Sequence, residues 1–219
     1  MKKLFTLVLA ATVLLLTGAC SNGGGGTAST DATVITTAGS TVATQPGESS
    51  DGERSNILVA YFSCTGNTKT LAEYAAQSLD ARLYEILPKK LYTADDLNYN
   101  AENSRCSQEH NNPDARPEIS GSVSDMAQYD IILLAYPIWW GEAPRILSTF
   151  VESYDFAGKT VIPFCTSGSS DIGSSADNLE KLTSGAIWLS GKRFAAGTTQ
   201  EEMAEWINGL NSDVNITAQ

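Results

Sequence analysis

The chain has 219 residues, 42% of them hydrophobic and 18% charged, with 14 Lys and Arg against 25 Asp and Glu and a formal net charge of -11. This acid excess argues against nucleic acid as a partner, because phosphate binding needs clustered Lys and Arg to release counterions. The composition is neither fibrous nor disordered as a whole, and the length suits one ordinary domain with appendages.

The first 20 residues begin with Lys2 and Lys3, continue through the apolar run LFTLVLAATVLLL, and end in Thr17-Gly18-Ala19-Cys20. A basic start, an apolar stretch short for a bilayer and small residues before a cleavage point describe an export signal over residues 1–19. Because the small residues end in Cys20, the segment resembles the bacterial lipobox, whose Cys is acylated and becomes the new N-terminus. Thr17 stands where that motif prefers Leu, with Leu16 one place further out. An ordinary cleaved signal and an uncleaved anchor are the alternatives, and all three readings export the protein. Residues 20–54 then read as a lipidated Cys and a tether, since a Gly, Ser, Thr and Ala run without apolar period cannot offset its ordering entropy. As a coil, the 34 residues 21–54 span about 30 Å, and about 110 Å when taut. Residues 55–219 hold 11 bases and 21 acids, so the acidity belongs to the globular part.

That part alternates two kinds of segment. Residues 56–62 (NILVAYF) form a continuous apolar run, as in a strand buried on both faces of a parallel sheet. Leu71, Tyr74, Ala75 and Leu79 follow at helical spacing. Residues 83–87 read as a second, shorter strand and residues 129–136 as a third, fully buried one. Ile146, Leu147, Phe150, Val151 and Tyr154 mark a helix that tolerates Pro144 in its first turn. Residues 160–165 are the fourth strand, with Pro163 working against full pairing. Residues 186–189 supply a fifth. Thr199 and Glu202 make a capping box ahead of Met203, Trp206, Ile207 and Leu210, a last amphipathic helix. The alternation predicts one doubly wound α/β domain over residues 55–219 with helices on both faces.

In such a sheet the ligand sits beyond the carboxyl ends of the strands, where the strand order reverses. After the first strand, Ser63-Cys64-Thr65-Gly66-Asn67-Thr68 leads straight into a helix. Hydroxyls, a Gly that lets the backbone approach and unpaired helix N–H groups make a phosphate cradle, although the same pattern also serves as a plain helix start. The loop lacks the Gly-Lys-Ser/Thr of a Walker-type nucleotide site. After the third strand, Tyr136-Pro137-Ile138-Trp139-Trp140-Gly141 sets two Trp at the ligand edge, one of them expected to roof the core. After the fourth, Thr166-Ser167-Gly168-Ser169-Ser170-Asp171-Ile172-Gly173 offers backbone N–H groups to the polar edge of a heterocycle. A cradle, an aromatic wall and a polar loop describe a mononucleotide with a flat ring system.

These residues resemble the flavodoxin family: Ser63-x-Thr65-Gly66-x-Thr68 is similar to its phosphate loop, and YPIWWG and FCTSG to its two flavin loops. The resemblance covers residues 55 to about 210 and implies a five-stranded parallel sheet of order 2-1-3-4-5 with noncovalent FMN; flavodoxin is the standard instance of that order. By position it implies that Ser63, Thr65, Gly66, Asn67 and Thr68 hold the phosphate. Pro137, Ile138, Trp139, Trp140 and Gly141 contact the isoalloxazine, Trp139 being the favoured stacking ring, and Thr166, Ser167 and Gly168 the pyrimidine side. The protein is then a carrier or oxidoreductase serving a redox partner protein or a small quinone-like acceptor, lipid-anchored outside the cytoplasm, and its acidity implies a low reduction potential. A flavin-free binding or scaffold module on the same fold is the alternative.

No acid–base residue, metal ligand set or G-x-G-x-x-G nicotinamide fingerprint is expected. His110 falls in the long stretch 93–128 and reads as a surface residue of a helical insertion, a stretch long enough to border the flavin and govern access. Of four Cys, acylation of Cys20 leaves three. Cys64 and Cys165 end strands one and four with strand three between them, roughly 10 Å apart at about 4.8 Å per strand, beyond disulfide reach.

Overall fold

The computed structural model describes residues 56–214; the expected signal, Cys20 and all of the tether lie outside the described residues. Strand β1 (Ile57–Tyr61) and helix α1 (Asn67–Leu79) are followed by β2 (Arg82–Glu85) and β3 (Leu87–Pro88). Next come α2 (Arg105–Asn111), β4 (Ile119–Ser120) and β5 (Ile131–Pro137). The remainder is α3 (Arg145–Glu152), β6 (Thr160–Thr166), α4 (Ser175–Glu180), β7 (Ile187–Trp188), β8 (Lys192–Phe194) and α5 (Gln200–Val214).

The main sheet runs β2-β1-β5-β6-β7, with β8 also on β6 and every pair parallel. This is the expected 2-1-3-4-5 order, with the fifth position filled by two short pieces instead of one strand. The break has a local cause. The carbonyls of Lys159 and Val161 accept from Ile187 and Leu189, so alternate residues of β6 face the outer strand, and the next in phase is Pro163. Proline has no N–H to offer there. Gly191 packs against the gap, where a Cβ would lie 2.7 Å from the Pro163 carbonyl and 2.4 Å from Ile172 Cδ1. Toward β5, by contrast, β6 stays in register from Thr160 to Thr166.

The apolar runs alternate between two cores. Leu58, Ala60, Ile132, Leu134, Tyr136, Val161 and Cys165 face a cluster completed by α3, α4 and the 89–128 segment. Ile57, Val59, Tyr61, Leu133, Ala135, Ile162 and Phe164 face the other, closed by α1 and α5. The Thr199–Glu202 capping box forms as expected, each backbone N–H donating to the other's side chain at 2.9 and 3.2 Å. Pro144 stands one residue before α3, at its N-cap.

The second predicted strand is shorter than residues 83–87: it ends at Glu85, and after buried Ile86 the chain leaves the sheet to pair β3 with β4. That ribbon closes the base of the insertion. Arg116 holds Glu152 of α3 through two bonds of 2.6 and 2.8 Å, and Arg145 donates to the carbonyls of Glu109 and His110 at the end of α2. No helix among the described residues is long and apolar enough to cross a membrane.

Candidate functional site

The phosphate cradle forms where β1 gives way to α1. Gly66 has φ +90, a left-handed conformation that favours Gly, and its N–H donates to Ser63 Oγ at 3.2 Å. A Cβ at Gly66 would meet nothing within 4 Å, so backbone conformation, not crowding, asks for Gly, and the space above it is open. The first backbone bond of the helix runs from Thr70 N–H to the Gly66 carbonyl at 3.0 Å, and no side chain caps the end. The first-turn donors therefore suit an outside anion, aided by the helix dipole. Ser63 is half-buried, while Thr65, Gly66 and Asn67 are exposed. Thr68 differs: it is buried, and its hydroxyl shares a 2.7 Å hydrogen bond with the Thr166 hydroxyl.

Thr166 in turn fastens the second loop, its carbonyl accepting from Ile138 N–H at 3.0 Å. Beyond Ile138 the chain makes a tight hairpin in which Trp139 and Glu142 exchange backbone bonds of 2.9 and 3.0 Å. The two residues between them, Trp140 and Gly141, have φ 47 and φ 80, the double left-handed pattern of a type I′ turn. The turn sends the adjacent Trp rings to different fates. Trp139 is 4% exposed and meets Phe62, Tyr92 and Tyr99 edge-on at 5.8, 5.5 and 6.1 Å. Trp140 is 43% exposed. The structure departs here from the expectation that favoured Trp139: its ring is packed into the roof of the core, and Trp140 is the ring that stands open at this edge. A bulky residue held at positive φ is strained backbone of the kind that collects at ligand sites.

The third loop leaves β6 at Thr166, with Ser167 half-buried and Gly168 exposed. Its backbone is braced from β8, where the Arg193 guanidinium donates to the carbonyls of Ser167 and Gly168 at 3.0 and 2.8 Å. Arg193 Nε is buried without a partner. Pro137, at the end of β5, and Ile138 are half-buried at the mouth between the loops.

Cys64 sits within the cradle loop, where burial pushes its thiol up to about 12 against the opposing pull of Arg105, so it stays protonated at neutral pH. Burial likewise raises Cys165 to about 12. Cys64, Cys106 and Cys165 are all free thiols, and Cys165 is buried in the core. Among the described residues no group of His, Cys, Asp or Glu is placed to hold a metal.

Sequence reasoning pointed to the 93–128 stretch only as one long enough to border the site, and it missed Tyr92 and Arg193. Tyr92 lies under Trp139, and Arg105 stacks over the Tyr92 ring at 3.9 Å. His110 belongs to a helix, as expected, but it is half-buried with its ring 4.9 Å from Trp140. Burial first, and then the Arg145 charge, lower its pKa. No spacing signal marks Arg193, Tyr99 or His110, because each reaches the site by tertiary packing across the loops.

A cradle with open helix donors, an exposed Trp and a braced polar loop on one edge define a mononucleotide-binding α/β protein of flavodoxin type, and FMN fits the donor set. Comparison with known proteins agrees. The family model described as flavodoxin matches residues 56–210, and the chain belongs to that family. A candidate flavoprotein from Bacteroides uniformis ATCC 8492 is 45% identical over 69% of this chain and 97% of its own, with a TM-score of 0.67. Another, from Bacteroides eggerthii DSM 20697, is 42% identical over 70% and 96%, with a TM-score of 0.66. A flavoprotein from Lactobacillus acidophilus NCFM, in complex with FMN, is 25% identical over 63% and 91%, with a TM-score of 0.51. No curated protein matches the chain.

Proposed function

We propose that the protein binds FMN noncovalently on this edge and serves as an electron carrier or oxidoreductase, held at the outer face of a bacterial membrane by a lipid on Cys20. The observation that supports the cofactor reading most is the double tie at Thr166, whose hydroxyl holds the cradle helix through Thr68 and whose carbonyl holds the aromatic hairpin through Ile138. Three loops that have to act on one ligand are thereby locked together.

FMN supplies the redox chemistry, and the protein supplies binding, orientation and electrostatics. Ser63, Thr65, Asn67 and the first-turn N–H groups of α1 hold the phosphate, while Thr68 sets the helix against the third loop. Trp140 covers the ring with Pro137, Ile138 and Gly141 around it. Thr166, Ser167 and Gly168, stiffened by Arg193, receive the pyrimidine side. The acid excess of the chain opposes the added negative charge of reduction, so the potential should lie below that of free FMN. A reductive titration at or above the free value overturns that part.

The decisive test is whether the purified protein is yellow and releases FMN on denaturation. A colourless preparation that takes up no added FMN would leave the alternative, a flavin-free binding module. Thr65→Ala should raise the FMN Kd by about ten- to hundredfold, the worth of one hydrogen bond to a charged group, while the fold survives. Membrane attachment is tested separately: Cys20→Ser should release the protein from the membrane fraction, and undiminished retention would refute the lipid anchor.

A further inference from the structure

A pocket lies beside Trp140, under the insertion, with Tyr99, Asn100, Glu102, His110 and Asn111 on its wall. Its volume of 230 Å³ falls below the roughly 300–1,000 Å³ of drug-sized sites, so it admits a small molecule. Two exposed aromatic rings stand next to each other here, Tyr99 at 47% and Trp140 at 43%. The Tyr99 and Trp140 rings meet at 5.0 Å and 64°, forming two walls of a corner. The His110 ring lies 4.9 Å from Trp140, tilted by 34°. Buried Trp139 backs Tyr99 edge-on.

The lining of the pocket favours a cation, although Arg145 lies behind His110 and donates to its carbonyl at 3.0 Å. No Lys or Arg lines it, Glu102 supplies a carboxylate, and the whole chain carries -11. Burial and the Arg145 charge lower the pKa of His110, which favours the uncharged imidazole. Aromatic faces flanked by a carboxylate attract organic cations, Trp being the strongest ring, while an anion would be repelled. The Asn100 and Asn111 side chains show no hydrogen-bond partner among the described residues and remain open to a polar group on the same ligand.

We infer that Tyr99, Trp140 and His110, with Glu102, form a binding site for a small quaternary or ring-delocalised organic cation, adjoining but distinct from the flavin edge. Distinctness rests on the FMN reading above, which shares Trp140, and the test separates the two.

Choline is the probe, titrated calorimetrically into the full chain in its FMN-loaded form. Choline should bind, and Tyr99→Ala should weaken it between about two- and thirtyfold, with Tyr99→Phe restoring most of the affinity. Glu102→Gln should weaken choline while leaving its uncharged isostere, 3,3-dimethylbutan-1-ol, unaffected. No heat with choline, equal affinity for the isostere or an unchanged Kd in Tyr99→Ala overturns the site. Displacement of FMN by choline overturns its separateness, because the pocket would then belong to the flavin. A colourless chain that takes up no FMN yet binds choline through Tyr99 keeps this site while the flavin reading falls.

Discussion

The two faces of the sheet are built differently. One is closed by α1 and α5, helices of 13 and 15 residues, over Leu71, Ala72, Ala75, Leu79, Met203 and Ile207. The other is covered by helices of 8 and 6 residues and by the insertion, and it gathers Phe62, Tyr136, Trp139, Phe150 and Phe156. Long helices make a plain wall, in which Phe164, Phe194 and Trp206 of α5 pack edge to face at 5.9, 5.5 and 5.3 Å. Short helices leave gaps that aromatic rings and tethered loops fill, and the rings at the carboxyl edge become the ligand site. The candidate site draws on both sides: the regular one supplies the cradle at the start of α1, and the irregular one has room for the loops and rings that converge beside it.

The sharpest way to break this contrast is a matched pair of truncations. Trp139→Ala should cost about 3–5 kcal/mol of stability and also weaken FMN, since its ring supports the hairpin. Met203→Ala, fully buried on the opposite face, should cost about 2–5 kcal/mol and leave the FMN Kd unchanged. Denaturant unfolding and FMN titration of both variants measure the difference, and equal effects on FMN would erase the distinction between the faces.

Next in size is the lock between the cradle and the third loop. Thr68→Val removes one of two buried hydroxyls 2.7 Å apart and orphans the other, at about 1–3 kcal/mol. Its FMN affinity should fall with that loss, whereas a stable variant with intact affinity would show that the loops hold their places without the Thr68–Thr166 bond. Trp140→Gly should separate stability from binding. Relief of the φ 47 conformation offsets much of the lost packing on Tyr99 and His110, so stability should fall by no more than about 1 kcal/mol while FMN binding weakens.

The smallest expected effect concerns His110. Its folded pKa lies below the ordinary value near 6.5, so the unfolded chain takes up the proton first as pH falls. Its contribution is complete above that value and is lost as pH drops toward the folded pKa. His110→Gln should therefore lose less thermal stability than the parent between pH 7.5 and 5.5, and parallel Tm curves would count against the packing of His110 on Trp140.

Much of the plain face was legible in advance. The runs at 56–62, 129–136 and 160–165 contain the strands β1, β5 and β6, buried along most of their length, and the Thr199–Glu202 box opens α5, because burial on two faces and helix capping leave local patterns. The loops Ser63–Thr68, Tyr136–Gly141 and Thr166–Gly168 were likewise placed at one edge by the strand order alone. The other face was less legible. Helices α2 and α4 have 7 and 6 residues, too few for a readable period, and the β3–β4 ribbon has two residues on each side.

The sequence by itself determined the alternation of buried strands and amphipathic helices, the family, and the residues from which a flavin site is made. Those properties are local: they follow from apolar runs, caps and turn residues. Tertiary structure decided which of two adjacent Trp turns outward, that Thr68 locks a loop instead of standing open, that Arg193 braces the Ser167–Gly168 loop, and that Tyr99 and His110 join Trp140. Each of these depends on which distant backbone comes within hydrogen-bond or ring-contact distance, and only the packed sheet edge sets that.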